Sequence, residues 1–220
     1  MFVAEGIKTV QELLDSSIKT ERIFTTDLSA FTAKKDLIEQ ISESALKQMS
    51  GLKNPNTVLG LFHIPKREIP KSTDWVVALD DVRDPGNLGT IIRLCDWYGI
   101  KHLVCSENTV DCYNPKVLQA TMGSIARVNV HYTNLKDYLE ATDLPKFGAF
   151  MDGMSVLTEK LPESGILVMG NEANGISKKI EDKISSKITI PQFGKKTAES
   201  LNVATATAIL LNEIRRRKFD

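Results

Sequence analysis

The feature that most constrains this chain is a grammar repeated from Trp75 onward. A short apolar run ends in a polar turn, and a helical stretch or another apolar run follows. The runs are WVVALDDV, KHLVCS, ARVNVHYT, FGAFMDG, GILVMG and KITIPQ. WVVALDDV and GILVMG are apolar nearly throughout instead of alternating, as strands covered on both faces require. Between runs, LGTIIRLCDWYG places Ile91, Leu94, Cys95 and Tyr98 on one side of a helix that Gly99 ends. NPKVLQATMG opens with the Asn-Pro pair expected at a helix start. A last helix, SLNVATATAILLNEIRRRKF, runs to the C-terminus. This alternation predicts an α/β fold, a largely parallel sheet covered by helices.

Residues 1–70 read as a separate small α/β unit. FVAEG, RIFTT and TVLGLFHI are strand-like, IKTVQELLDSS has helical spacing at Ile7, Val10, Leu13 and Leu14, and LIEQISESALKQMSG reads as one amphipathic helix stopped by Gly51. Residues 65–74, PKREIPKSTD, carry two prolines and five charges and mark a linker. The expected organisation is therefore one domain over 1–70 and a second over 75–220. The chain opens directly in strand-like sequence, which suggests that residues precede it in the native protein.

With 220 residues, 42% of them hydrophobic and 25% charged, the composition is that of an ordinary globular chain. The 28 basic and 28 acidic residues cancel, so any nucleic-acid surface must be local. Cys95, Cys105 and Cys112 form no CxxC pair and suit free thiols in a reducing cytoplasm. His63, His102 and His131 lack zinc spacing, so no metal is expected. No apolar run reaches the ~20 residues of a membrane span, and MFVAEGIKTV lacks the pattern of a signal peptide. A cytoplasmic protein without membrane attachment is expected.

Three stretches carry candidate chemistry. In DDVRDPGNLGTIIR, residues 80–93, a strand exits through Pro85-Gly86-Asn87 and a helix carries Arg93. Read alone, Asn87 is either a helix cap or a ligand group, and Arg93 either a solvated charge or a functional guanidinium. GxGxxG is missing, which argues against dinucleotide binding. In ILVMGNEANGIS, residues 166–177, Gly170, Asn171, Glu172 and Asn174 follow a buried strand, either as a ligand-site edge or as a turn with Glu172 at a helix N-terminus. In ITIPQFGKKTAESLNVATATAILLNEIRRR, residues 188–217, a loop with Gly194, Lys195 and Lys196 leads to Ser200 and Asn202 at the start of a helix rich in small residues, with Ser200 the expected cap.

Together, NLGTIIR, GNEANGIS and IPQFGKKTAESLNVATA resemble, in order and spacing, the three motifs of the SpoU/TrmH class of SPOUT RNA 2′-O-ribose methyltransferases, over about residues 76–217. Residues 1–70 more loosely resemble the L7Ae/L30e-like substrate-binding module that precedes many such domains. The resemblance implies a parallel α/β sheet with a C-terminal deep trefoil knot and S-adenosylmethionine as methyl donor. It also implies a homodimer acting on structured RNA, ribosomal or transfer. By motif, Gly170, Ile190 and Leu201 line the cofactor pocket, and Arg93 is the central catalytic residue, with Asn87, Glu172, Ser200 and Asn202 completing the polar wall. The loop from Pro191 to Ser200 departs from the family by being slightly long. Its Lys195 and Lys196 are candidates for phosphate contact or are simply solvated. Lys34-Lys35, Lys178-Lys179 and Arg215–Lys218 are candidate basic patches, although each reads more readily as an ordinary exposed charge run than as a footprint. The competing class is a non-catalytic RNA-binding or ribosome-assembly protein that keeps the fold. It would predict loss of one of the five polar positions, and all five are present.

Overall fold

A computed structural model describes residues 1–32, 34–68, 74–194 and 200–216. The N-terminal part contains β1 (Phe2–Glu5), α1 (Ile7–Leu14), β2 (Thr20–Thr25), β3 (Ile38–Gln40), α2 (Glu43–Met49) and β4 (Val58–Phe62), with sheet order β1-β4-β2-β3. β4 pairs antiparallel with β1 and β2, while β3 runs parallel to β2. The single helix expected across 37–51 is therefore two elements. Ile38–Gln40 pairs with Ile23–Thr25, and the helix begins only after Ser42, whose side chain accepts from the Ala45 N–H. The cap and an available strand edge override the helical periodicity of the segment.

The second part follows the predicted alternation: β5 (Val76–Leu79), α3 (Pro85–Trp97), β6 (His102–Ser106), α4 (Pro115–Thr121), β7 (Asn129–Thr133), α5 (Leu135–Ala141), β8 (Lys146–Ser155), β9 (Ile166–Met169), α6 (Lys178–Glu181), β10 (Ser186–Thr189) and α7 (Val203–Arg216). α5, capped by Asn134, has no counterpart in the sequence reading. The sheet order is β10-β8-β9-β5-β6-β7, with every pairing parallel. The sequential order turns back between β5 and β9, where open parallel sheets leave a crevice at the carboxyl ends of their strands.

Both faces of this sheet are covered. Val77, Leu79, Leu103, Leu167 and Met169 pack toward α3, α4 and α7, whereas Val76, Ala78, Val104, Ile166 and Val168 pack toward α5 and α6. Each such side chain removed from water contributes about 1.5–3 kcal/mol, which is why these strands carry almost no polar residues. The first core also continues into the N-terminal part. Phe2 stacks on Tyr113 with ring centroids 4.3 Å apart, and Arg127 bridges Glu12 of α1 and Asp96 of α3. Of the linker-like stretch 65–74, residues 69–73 lie outside the described residues.

One titratable pair sits in this frame. His131 on β7 is 5% exposed, and its Nε2 lies 3.2 Å from Nδ1 of His102 on β6. Burial, then the neighbouring His102 and Arg67, push the His131 pKa down from 6.5 to about 4. Between those values the unfolded chain holds a proton that the folded chain refuses, so stability falls as pH falls through that window. Urea unfolding is expected to lose about 1–3 kcal/mol between pH 6.5 and 4, with a shallower slope in His131→Gln. Equal slopes in the two proteins would contradict this assignment.

Candidate functional site

Three loops meet at the carboxyl edge of the sheet, and side-chain amides and a carboxylate join them. Asn202 Nδ2 donates to Asn87 Oδ1 at 2.8 Å, and Asn87 Nδ2 donates to Glu172 Oε1 at 3.0 Å. The Glu172 carboxylate also accepts longer contacts, 3.4 Å each, from the backbone N–H groups of Arg83 and Asp84. The chain of bonds thus runs from the start of α7, through the first turn of α3, to the turn after β9.

Local sequence explains each position. Asp84 caps α3, its carboxylate accepting from the Asn87 N–H at 2.8 Å, and Pro85 fills the first turn. Asn87 is therefore not the cap, and its carboxamide is left free to reach across. Ser200 is likewise not the cap of α7. Asn202 accepts from the N–H groups of Ala204 and Thr205 through Oδ1, while its Nδ2 serves Asn87. One amide performs both tasks because its oxygen and nitrogen point to different partners.

The turn after β9 is held by Asn171, which the sequence placed at this edge without assigning it a role in the site. Its Nδ2 donates to the Asp81 carbonyl at 2.6 Å, and its Oδ1 accepts from Ala173 and Asn174. Asp81 adopts a left-handed φ of 62° and is gripped from the other side by Ser106 Oγ, which accepts from its N–H at 2.9 Å. Asp80, 3% exposed, accepts from the Ser177 N–H at 2.7 Å and ties β5 to the start of α6. The two adjacent acids closing an apolar strand were the available signal for these anchors. Gly170 has a steric reason: a Cβ there would lie 2.2 Å from the Gly175 carbonyl carbon, because the 171–175 turn folds directly back over it.

Beneath this network lies a cavity of about 650 Å³. Gly170, Glu172, Ile190, Ser200, Leu201 and Asn202 line it, which gathers six of the residues singled out from sequence. β8 contributes Ala149, Phe150 and Met151, which the sequence reading took as plain strand. They reach the cavity because the β8–β10 register jumps from Gly148↔Lys187 to Met154↔Ile188, pushing the intervening residues out of the ladder.

Arg93 stands apart. It does not line the cavity, and it lies with Gly86, Thr90 and Trp97 on the exposed stripe of α3. Among the described residues it has no ion-pair or hydrogen-bond partner. Lys195 and Lys196 lie outside the described residues, as do Arg217 and Lys218. The other candidate basic patches are largely committed to internal contacts. Lys178 pairs with Glu181 and Asp182, Arg215 with Asp74 and Arg216 with Glu213, while Lys34 donates to the Leu14 carbonyl. Lys178 and Arg216 meet acids three or four residues away, whereas Arg215 and Lys34 find partners brought from distant segments, which a run of basic residues in sequence conceals. Among the described residues no His, Cys, Asp and Glu cluster could hold a metal ion, and no helix is long and apolar enough to cross a membrane.

The chain as a whole is similar to known proteins. A model of the SpoU rRNA Methylase family matches residues 74–212. The chain belongs to that family. It is 31% identical over 97% of its length to the 23S rRNA (guanosine(2553)-2′-O)-methyltransferase RlmP of Bacillus subtilis, covering 88% of that protein. It is 29% identical, over 65% of this chain and 58% of the relative, to the 23S rRNA (guanosine-2′-O-)-methyltransferase RlmB of Neisseria meningitidis. An AdoMet-bound rRNA methyltransferase structure from Sinorhizobium meliloti superposes with a TM-score of 0.85 at 30% identity, covering 98% of this chain and 87% of that one. The SpoU-family α/β fold with its parallel sheet is thus established for this chain.

The bond network makes a prediction independent of activity. Asn87→Ala severs the link between Asn202 and Glu172. Hydrogen exchange is expected to quicken in the 171–175 turn and at the start of α7, with a global loss of about 1–2 kcal/mol. Unchanged exchange in both segments would show that the network holds nothing in place.

Proposed function

We infer that this SpoU-family chain transfers a methyl group from S-adenosylmethionine to a ribose 2′-hydroxyl of ribosomal or transfer RNA. The observation that carries the reading is the convergence of Asn87, Glu172 and Asn202 over a cavity lined by Gly170, Ile190 and Leu201.

The cavity suits the cofactor. Its volume of about 650 Å³ lies within the ~300–1,000 Å³ of small-molecule sites. Ile188, Ile190, Val203 and Leu210 offer an apolar wall for a purine ring, while Glu172 and Asn202 offer polar groups at the opening. Gly170, Ile190 and Leu201 would hold it mainly through backbone and apolar contact. When bound, S-adenosylmethionine supplies an activated methyl group on a sulfonium. The chain's own residues then have two tasks, aligning the ribose oxygen and stabilising the negative charge that grows on it. Asn87, Glu172, Ser200 and Asn202 fix the loops around the reacting position. Arg93 holds the 2′-oxygen and stabilises the developing alkoxide; its guanidinium stays protonated, which suits it to that role better than to accepting the proton.

The exposed position of Arg93 supports a homodimer in which it serves the neighbouring subunit. Trp97, one turn further along the same stripe, is 82% exposed, an unusual cost for an indole in water. α7 packs against α3 and also leaves Thr205 and Asn212 exposed. The deep trefoil knot of the family belongs to the same reading. β10 lies at the sheet edge, yet the chain returns so that Asn202 meets Asn87, and the close approach at Gly170 leaves no room for a side chain. Residues 1–70 serve as the L7Ae/L30e-like substrate-binding domain, supported by their separate mixed four-stranded sheet, and 75–220 form the catalytic domain. Lys195 and Lys196, which lie outside the described residues, are assigned to RNA phosphate contact.

Arg93→Ala is expected to lower methyl transfer to cellular rRNA or tRNA by at least about 100-fold while cofactor affinity by calorimetry stays within about threefold. Mixing Arg93→Ala with Asn202→Ala should restore about a quarter of wild-type activity, because a mixed dimer holds one intact site. No restoration would place Arg93 in its own subunit's site. Light scattering should give a dimer mass for the wild type and a monomer for Trp97→Glu; a monomeric wild type at micromolar concentration would remove the shared site.

A further inference from the structure

The cavity is lined by polar groups, among them Glu172 and Asn202, and by apolar ones, among them Met151, Ile190 and Leu201. Asn87 joins Glu172 and Asn202 into a polar wall. Phe193 directly follows Pro191 and Gln192 of the cavity lining in the chain and is 89% exposed, more than any other large apolar side chain among the described residues. Met151, part of the lining, is 62% exposed. Its carbonyl accepts from Thr189 Oγ1 at 3.3 Å, which ties the β8 segment to the end of β10 just before the loop carrying Phe193.

We propose that Phe193 is the platform on which the base of the target nucleotide stacks, with Met151 as a neighbouring apolar contact. This rests on the methyltransferase reading above and adds to it a residue that positions the substrate. The argument is one of matched asymmetry. A nucleotide has a polar sugar-phosphate end and a flat base with apolar faces. Its base is carried on the carbon adjacent to the one bearing the 2′-oxygen. A ribose held against the polar wall therefore has its base within a few ångströms, at the rim. RNA-binding sites commonly receive an unstacked base on an aromatic ring, and such stacking tolerates any base because each has a π-face. An aromatic ring left in water and joined in the chain to the lining of a nucleotide-sized cavity suits that role.

The test uses a short transcript containing the methylated nucleotide, once that nucleotide has been mapped in cellular RNA, and a second version with the base of that nucleotide removed and its ribose kept. Phe193→Ala is expected to lower kcat/KM on the intact transcript by about 10- to 100-fold, with S-adenosylmethionine affinity and dimer mass unchanged. Phe193→Trp should stay within about threefold of wild type. On the transcript lacking the base, wild type and Phe193→Ala should converge. Wild-type kcat/KM in Phe193→Ala, or an equal loss on both transcripts, overturns the proposal. A change in dimer mass also overturns it, showing that a second copy of the chain covers the rim. A wild type that methylates no RNA defeats the functional reading and this proposal together. An active wild type with an indifferent Phe193 defeats only the stacking.

Discussion

The site depends on a three-membered hydrogen-bond chain in which a carboxamide, a second carboxamide and a carboxylate span three loops far apart in sequence. Asn202 is separated from Asn87 by 115 residues and Glu172 from Asn87 by 85. Closing loops of that size costs chain entropy, which the buried two-faced sheet has already met by the time the loops are brought together. The polar chain then chooses which loop conformations persist. Its partly exposed bonds are individually worth about a kilocalorie, so their contribution is to geometry more than to global stability.

Close backbone approach is the second constraint. Gly170 lies against the Gly175 carbonyl, and a Cβ on Gly153 would come within 2.6 Å of the Lys187 and Ile188 carbonyl carbons. Gly170 lines the cavity beneath the folded-back turn, and Gly153 sits where β8 rejoins its ladder with β10. Missing side chains let main-chain atoms form the walls, which explains how residues as plain as Gly170 and Ile190 can shape a small-molecule site.

Much of this could be read from the residues. Continuous apolar runs gave away strands buried on both sides, and the positions of Asn87, Glu172 and Asn202 after apolar runs marked the loops that meet. Caps were less legible. Asp84 and Asn202 take the roles that Asn87 and Ser200 seemed suited to, since several adjacent residues can cap and only the tertiary partners decide which is released. The strand Ile38–Gln40 was hidden because helical periodicity is local while its pairing with β2 is not. Basic runs such as Lys178-Lys179 also misled, because the acids that pair with Lys178 lie three and four residues further along the chain.

By itself, then, the sequence determined the sheet class, the order of most strands and helices in the second part and the three loops that meet, because hydrophobic period and turn chemistry are written in neighbouring residues, while the family came from the resemblance of three motifs. Only the tertiary structure decided that Phe150 and Met151 line the cavity, that Asn171 braces Asp81, and that Arg93 faces outward beside Trp97. Those outcomes follow from register, crossing and packing between distant segments, and such relations have no signature in any one stretch of chain.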